Sequence, residues 1–107
     1  MNKTNPMEIF QAEAPEVAKA FNDLIGAIVA SKGLDEKTKQ LIYIAMKAAN
    51  GDETAVKFHI MMVKQLGATK AEVVDAILVS LTVSGIRGVA SCLPYVVELF
   101  ETKHGER

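Results

Sequence analysis

His59 is the side chain in this sequence best suited to proton transfer, because the reference pKa of an imidazole, about 6.5, lies close to neutral pH. It stands among apolar residues in a segment with helical spacing, where a lone histidine is also common as a hydrogen-bonded core residue. Asp52 and Ala55 precede it by seven and four residues, which places all three side chains on one face of a helix. The same helix face could therefore present a carboxylate and an imidazole to one pocket.

Two charged residues near His59 have both a structural and a functional interpretation. Asp52 follows Gly51 at the start of a helix, where a carboxylate accepts hydrogen bonds from unpaired backbone N–H groups; it could also position a substrate. Arg87 lies between Gly85 and Gly88, in an expected break between helices. Solvation or a salt bridge would explain it, and a bidentate clamp on a substrate carboxylate is the alternative.

A metal site is not expected, because one histidine and one aspartate fall short of the usual three protein ligands. The second histidine, His104, lies in the C-terminal tail and is expected to be solvated. The one cysteine, Cys92, cannot form an intrachain disulfide and is expected to be a small core residue. We expect no cofactor and a cytoplasmic location.

Helical periodicity predicts the elements that must position these residues. Apolar side chains recur at three- and four-residue spacing and show no strand alternation, so the predicted class is all-α with about five helices. The predicted helices cover residues 16–32, 35–49, 53–66 and 70–83, and a last helix ends near 101. Gly33 is expected to end the first helix in a left-handed conformation, and Thr69 to Glu72 spells a capping box.

Length and composition limit the organisation and the partners. The chain has 107 residues, enough for one domain over 1–107, with residues 1–6 and 102–107 expected to be flexible. A net charge of −1 gives no reason to expect nucleic acid or an anionic membrane as a partner. The most apolar stretch, 73–86, is interrupted by polar residues and is too short to span a bilayer. Half of the residues are hydrophobic, and the wide apolar faces predict self-association.

Several short motifs, taken together, resemble the carboxymuconolactone decarboxylase family, which includes the alkyl hydroperoxidase D-like proteins. The matching stretches are Leu34-Asp35-Glu36-Lys37-Thr38-Lys39-Gln40-Leu41-Ile42, Asn50-Gly51, His59, and Leu66-Gly67-Ala68-Thr69-Lys70-Ala71-Glu72-Val73. The resemblance implies an all-α, alkyl hydroperoxidase D-like fold. It also implies a homo-oligomer, usually a trimer or a hexamer in this family.

The chain departs from the redox members of that family at three of four site positions. Those members carry cysteines seven and four residues before the histidine, and a glutamate twelve residues before the first cysteine. Asp52, Ala55 and Gln40 occupy these positions here, and only His59 matches. A peroxidatic thiolate must be a cysteine, so dithiol peroxidase activity is not expected. Gln40 can donate and accept hydrogen bonds but cannot titrate, and we expect it to face His59 across the helix pair.

Two functional hypotheses follow. The first is a cofactor-free, decarboxylase-like enzyme that acts on a small carboxylated substrate such as a lactone, with His59 moving the proton and Arg87 holding the carboxylate. Gln40 and Asp52 would also line the substrate site. The second is a non-catalytic oligomeric binding or scaffold protein that has lost the peroxidase cysteines. A pocket with His59 facing its interior, between the helices at 35–49 and 53–66 and near Gly85, would favour the enzyme.

Overall fold

The computed structural model describes residues 5–101 and confirms the all-α class. Its described part contains seven helical segments and no strand: α1 (Pro6–Glu13), α2 (Pro15–Ala30), α3 (Glu36–Asn50), α4 (Glu53–Gln65), α5 (Lys70–Val79), α6 (Leu81–Ser84) and α7 (Ile86–Glu101). Within residues 5–101, no helix combines the length and the apolar character needed to cross a membrane. The expectations for His104, for the rest of 102–107 and for residues 1–4 fall outside the described range.

The chain divides into two compact units between Gly33 and Leu34. In the first, Asn5 accepts hydrogen bonds from the backbone N–H groups of Met7 and Glu8 and caps α1, a helix that is not among those predicted from the sequence. The rings of Phe10 and Phe21 join α1 to α2, with centroids 6.0 Å apart. The prediction of a single domain over the whole chain stays a prediction.

The helical spacing of apolar residues in α2 draws one apolar stripe, and most of this stripe is exposed. Ala18 is buried, whereas four large side chains of the stripe are exposed: Phe21, Leu24, Ile25 and Ile28. The predicted end of this helix also differs, because α2 stops at Ala30 and the Ser31 hydroxyl donates to the backbone carbonyl of Ile28. Gly33 does not adopt the left-handed conformation predicted for it.

The core of the second unit lies between α3, α4, α5 and α7, which pack against one another around a set of nearly inaccessible side chains. These are Ile44, Ala48, Val56, Ile60, Val63, Ala68, Val73, Ile77, Val89, Cys92 and Val96. The expected core position of Cys92 is confirmed. Large apolar side chains remain outside this core on α4, including Phe58, which is 61% exposed. The apolar arc of α4 is therefore wider than the part that the core covers.

The predicted capping box of α5 is confirmed, and local signals also cap α3 at both ends. Asp35 caps the N-terminus of α3, because its carboxylate accepts a hydrogen bond from the backbone N–H of Thr38 at 2.7 Å. Gly51 ends α3 with a φ of 78°, a left-handed conformation that favours glycine. Thr69 and Glu72 form the reciprocal capping box of α5. These local signals set the starts of α3 and α5 and the turn that leads to the candidate site.

Two helix boundaries near α7 differ from the sequence prediction. The predicted helix over 70–83 is interrupted at Ser80, whose buried hydroxyl donates to the Ile77 carbonyl at 2.6 Å. Gly88 lies inside α7 rather than in a break, and Pro94 also lies inside that helix. A Cβ on Gly88 would overlap the backbone carbonyl group of Ala48, coming within 2.9 Å of its carbon. The missing side chain therefore lets α7 approach α3 closely.

We predict that Gly88→Ala destabilises the protein by about 1–3 kcal/mol, because the new methyl group overlaps backbone that cannot rotate away. Gly26→Ala is the matched control. Apart from the local helix backbone, nothing lies within 4 Å of the Cβ position of this helical glycine, so alanine should leave stability equal or raise it by up to about 1 kcal/mol. Urea unfolding followed by circular dichroism measures both. Equal stability of the two variants would contradict the close approach of α3 and α7.

Candidate active site

His59 lies on α4, half-buried, with its ring against α3. Its Nδ1 is 2.8 Å from Oε1 of Gln40, so the contact predicted between these two side chains is present. An amide oxygen only accepts hydrogen bonds, so the ring donates from Nδ1. The neutral imidazole then carries its lone pair on Nε2, the nitrogen that could exchange a proton with a ligand.

Two aromatic rings fix the orientation of His59. The Tyr43 ring on α3 packs at a tilt, with its centroid 4.3 Å from that of the imidazole. Phe58 meets the imidazole edge to face at 5.5 Å. Together with the hydrogen bond to Gln40, these contacts restrict ring rotation, as a proton-transferring group requires.

Lys47 and Asp52 form an ion pair across the turn between α3 and α4, with Nζ 3.3 Å from Oδ2. The Lys47 ammonium also lies 5.7 Å from the centroid of the Tyr43 ring, in cation–π range. Lys47 thus contacts the aromatic ring that packs against His59. The result is a continuous polar and aromatic cluster that runs from Asp52 to Gln40.

The helix-cap interpretation of Asp52 is confirmed, since its Oδ1 accepts from the N–H of Ala55 at 3.1 Å. This backbone hydrogen bond, together with the nearby Lys47 ammonium, lowers the pKa of the Asp52 carboxyl. Asp52 is therefore a carboxylate at neutral pH. The expected role of Asp52 in substrate binding stays a prediction.

The pKa of His59 is lowered from its ordinary value, first by partial burial and second by the positive charge of Lys47. Burial disfavours the charged imidazolium, and a nearby cation disfavours it further. His59 in the free protein is therefore a neutral imidazole at pH 7. Gln40 fixes the tautomer of this neutral ring without adding the negative charge that would favour its protonation.

Arg87 lies in the first turn of α7 and not in a break between helices, which corrects the sequence expectation. Its guanidinium packs over the α3–α4 turn, and a Cβ on Gly51 would come within 3.2 Å of Nη2. Arg87 is thus close to the start of α4. The cation that shifts the pKa of His59 is Lys47, and Arg87 is not among the causes of that shift.

An apolar groove of about 490 Å³ lies elsewhere on α3, along α5. Its lining includes Leu41, Ile42, Met46 and Val79. A second groove of about 400 Å³ continues from Met46 and Val79 to Val83. Neither groove is lined by His59, Gln40, Asp52 or Arg87. The pocket expected around His59 near Gly85 stays a prediction.

Tyr43 and Lys47 are the site residues that sequence reasoning missed. A signal was available, because they follow Gln40 by three and seven residues and so share its face of α3. Within residues 5–101, no three potential histidine, cysteine, aspartate or glutamate ligands come together in a way that could hold a metal ion. The chemistry that these side chains can supply is proton transfer and anion binding.

Comparison with known protein families identifies the family to which this all-α chain belongs. The sequence matches the carboxymuconolactone decarboxylase family over residues 15–98, which is most of its length. The chain therefore belongs to the carboxymuconolactone decarboxylase family, part of the alkyl hydroperoxidase D-like superfamily.

Two similar proteins come from Methanocaldococcus jannaschii, and both are named only as uncharacterized proteins. Uncharacterized protein MJ1511 is 29% identical over 93 residues, which cover 87% of each chain. Uncharacterized protein MJ0742 is 29% identical over 94 residues, which cover 87% of this chain and 90% of its own. The resemblance expected from the motifs is thus confirmed at the level of the family.

We predict that Gln40→Glu raises the pKa of His59 above its wild-type value. A carboxylate 2.8 Å from Nδ1 would favour the imidazolium, whereas the neutral amide does not. Titration of the imidazole carbon-bound protons by NMR measures the pKa, and the wild-type value should lie below 6.5 because burial and Lys47 lower it. Lys57→Met, a change on another face of α4, is the control, and its His59 should titrate with the wild-type pKa. An unchanged pKa in Gln40→Glu would contradict the contact.

Proposed function

We propose that this chain is a cofactor-free enzyme of the carboxymuconolactone decarboxylase type, acting on a small carboxylated substrate with His59 as its proton carrier. The observation that carries the proposal is the hydrogen bond from His59 Nδ1 to Gln40, which leaves Nε2 as the exchangeable position of a held, half-buried ring. Family membership supports the reaction class. The cytoplasmic location expected from the single cysteine belongs to the same proposal.

The proposed reaction balances without a metal or an organic cofactor. The bond between the substrate carbon and its carboxylate breaks, CO₂ leaves, and the electron pair stays on a carbon conjugated with the lactone carbonyl. His59 in its protonated form donates the Nε2 proton to that carbon and is reprotonated from solvent. Gln40 holds the ring through Nδ1, and Asp52 caps the helix that carries it. Arg87 is the sequence-based candidate for holding the substrate carboxylate.

Thiol peroxidase chemistry is not part of the proposal. Asp52 and Ala55 occupy the positions of the two cysteines in the redox members of the family. The remaining thiol, Cys92, is buried in the core, and this burial raises its pKa and disfavours the reactive thiolate.

We predict that His59→Gln lowers the rate of CO₂ release from a small lactone carboxylate by about 10²–10⁴-fold, the usual contribution of a positioned acid or base. Because the protonated ring donates, wild-type activity should fall as pH rises through the pKa of His59. The thermal transition should move little, since the ring is only half-buried. The assay follows labelled CO₂ at several pH values, with Lys57→Met as the control variant.

The alternative is a non-catalytic oligomeric binding or scaffold protein, and the exposed apolar side chains favour it. If His59→Gln mainly lowers the melting temperature, and no small carboxylate protects the wild-type protein from melting, the histidine is a structural residue. That outcome would replace the enzyme proposal with the scaffold.

We also propose that the chain forms a homo-oligomer, a trimer or a hexamer. Large apolar side chains are exposed on several helices, among them Val79 at 61% and Val83 at 77% along the second groove. Large exposed apolar surface is commonly covered by association. Light scattering coupled to gel filtration at micromolar concentration should give a multiple of 11.6 kDa. A particle of the monomer mass would contradict the proposal.

A further inference from the structure

We infer that Lys47 binds the substrate carboxylate beside His59, in place of the Arg87 clamp that the sequence suggested. The inference rests on the proposed function in one respect, which is that the substrate carries a carboxylate. Its own support is the geometry of the cluster formed by Lys47, Asp52, Tyr43 and His59.

The ammonium of Lys47 is held in place but retains donors for a ligand. It has three N–H groups, and its one ion-pair contact within the described residues is the 3.3 Å approach to Oδ2 of Asp52. The Tyr43 ring lies below it at 5.7 Å. Its side chain is 30% exposed, so an anion can reach it from solvent. An ammonium positioned in this way can bind a carboxylate without first losing much side-chain freedom.

Asp52 can hold Lys47 without being displaced by the ligand. Its two oxygens have separate partners, since Oδ1 accepts from the N–H of Ala55 while Oδ2 faces Lys47. A substrate carboxylate can therefore add to the ammonium while the helix cap of α4 stays intact.

The position of Lys47 relative to His59 suits a small substrate. The Tyr43 ring contacts both side chains, since its centroid is 4.3 Å from that of the imidazole and 5.7 Å from the ammonium. One small lactone or acid lying along this ring could place its carboxylate at Lys47 and its reacting carbon near His59. Arg87 has its guanidinium over Gly51 instead.

Carboxylate binding at Lys47 also provides a way to protonate His59. In the free protein the pKa of His59 is lowered by burial and by the Lys47 charge. A bound carboxylate opposes that charge, so it should raise the pKa and favour the proton donor that decarboxylation needs. The other ionisable groups that face this cluster from α3, α4 and α7 are Tyr43, Asp52 and Arg87, and Glu53, Lys57 and Tyr95 contact one another on the adjoining side of α4.

The test compares two probes that differ only in the charged group: γ-butyrolactone-γ-carboxylate and uncharged γ-butyrolactone. Binding to the full-length protein is followed by NMR shifts of the Tyr43 and His59 rings. We expect Lys47→Met to weaken binding of the carboxylate probe by about tenfold or more and to leave the uncharged probe unaffected. Lys47→Arg, which keeps the charge, should retain most of the binding.

The matched control is Lys57→Met. Lys57 also lies over a tyrosine, 5.4 Å from the Tyr95 ring, so its removal costs a similar cation–π contact elsewhere on α4. Binding of the carboxylate probe should be unchanged in this variant. In the wild type the probe should also raise the pKa of His59, and in Lys47→Met this rise should disappear.

Three outcomes would overturn the inference: wild-type protein that binds neither probe at millimolar concentration, equal carboxylate binding by wild type and Lys47→Met, or loss of binding in Arg87→Gln but not in Lys47→Met. The proposed function is tested separately, by the CO₂-release assay. If carboxylate binding depends on Lys47 but the protein releases no CO₂, Lys47 is an anion-binding residue and the decarboxylase proposal is wrong.

Discussion

The close approach of α7 to α3 at Gly88 is the constraint on which the second unit depends. With no side chain at this position, the α7 backbone lies against the Ala48 carbonyl, in a buried contact that a methyl group would prevent. Since α3 also packs against α4 and α5, its rotation about its own axis is fixed from several sides. One face of α3 is thereby held in the core through Ile44 and Ala48. The face that carries Gln40, Tyr43 and Lys47 is turned toward His59 as a consequence.

Asp52 links this packing to the candidate site. It is at once the cap of α4 and the ion-pair partner of Lys47, so one carboxylate joins the beginning of α4 to the last turns of α3. His59 lies seven residues beyond it, about two helical turns and ~10 Å along the axis. Because the cap fixes where α4 begins, it also fixes the position of the imidazole along the helix axis relative to Gln40 on α3. The hydrogen bond and ion pair of Asp52 at the turn therefore help to align a contact two helical turns away.

Local chemistry could be predicted from the sequence, and long-range packing could not. The predicted caps at Asp52 and Thr69 depend on neighbouring residues alone, and the pairing of Gln40 with His59 followed from positions in a family pattern. Gly88 was misinterpreted as a break because a glycine that ends a helix and one that admits a neighbouring backbone look identical in sequence. Periodicity likewise showed which side of α2 is apolar, but it could not show that Phe21 remains exposed. Lys47 was missed although it shares a helix face with Gln40 and Tyr43, because its ion pair with Asp52 crosses the turn between α3 and α4.

The pairing of histidine with an amide rather than with a carboxylate has a chemical consequence. A carboxylate at the position of Gln40 would stabilise the imidazolium whether or not a ligand is bound. The amide fixes the tautomer and leaves the charge of His59 to the other groups around it, of which Lys47 is the one that lowers its pKa by charge. A site built in this way holds a neutral base when empty. In the site we propose, the negative charge that favours protonation arrives with the substrate itself, so the acid forms where and when the carboxylate is bound.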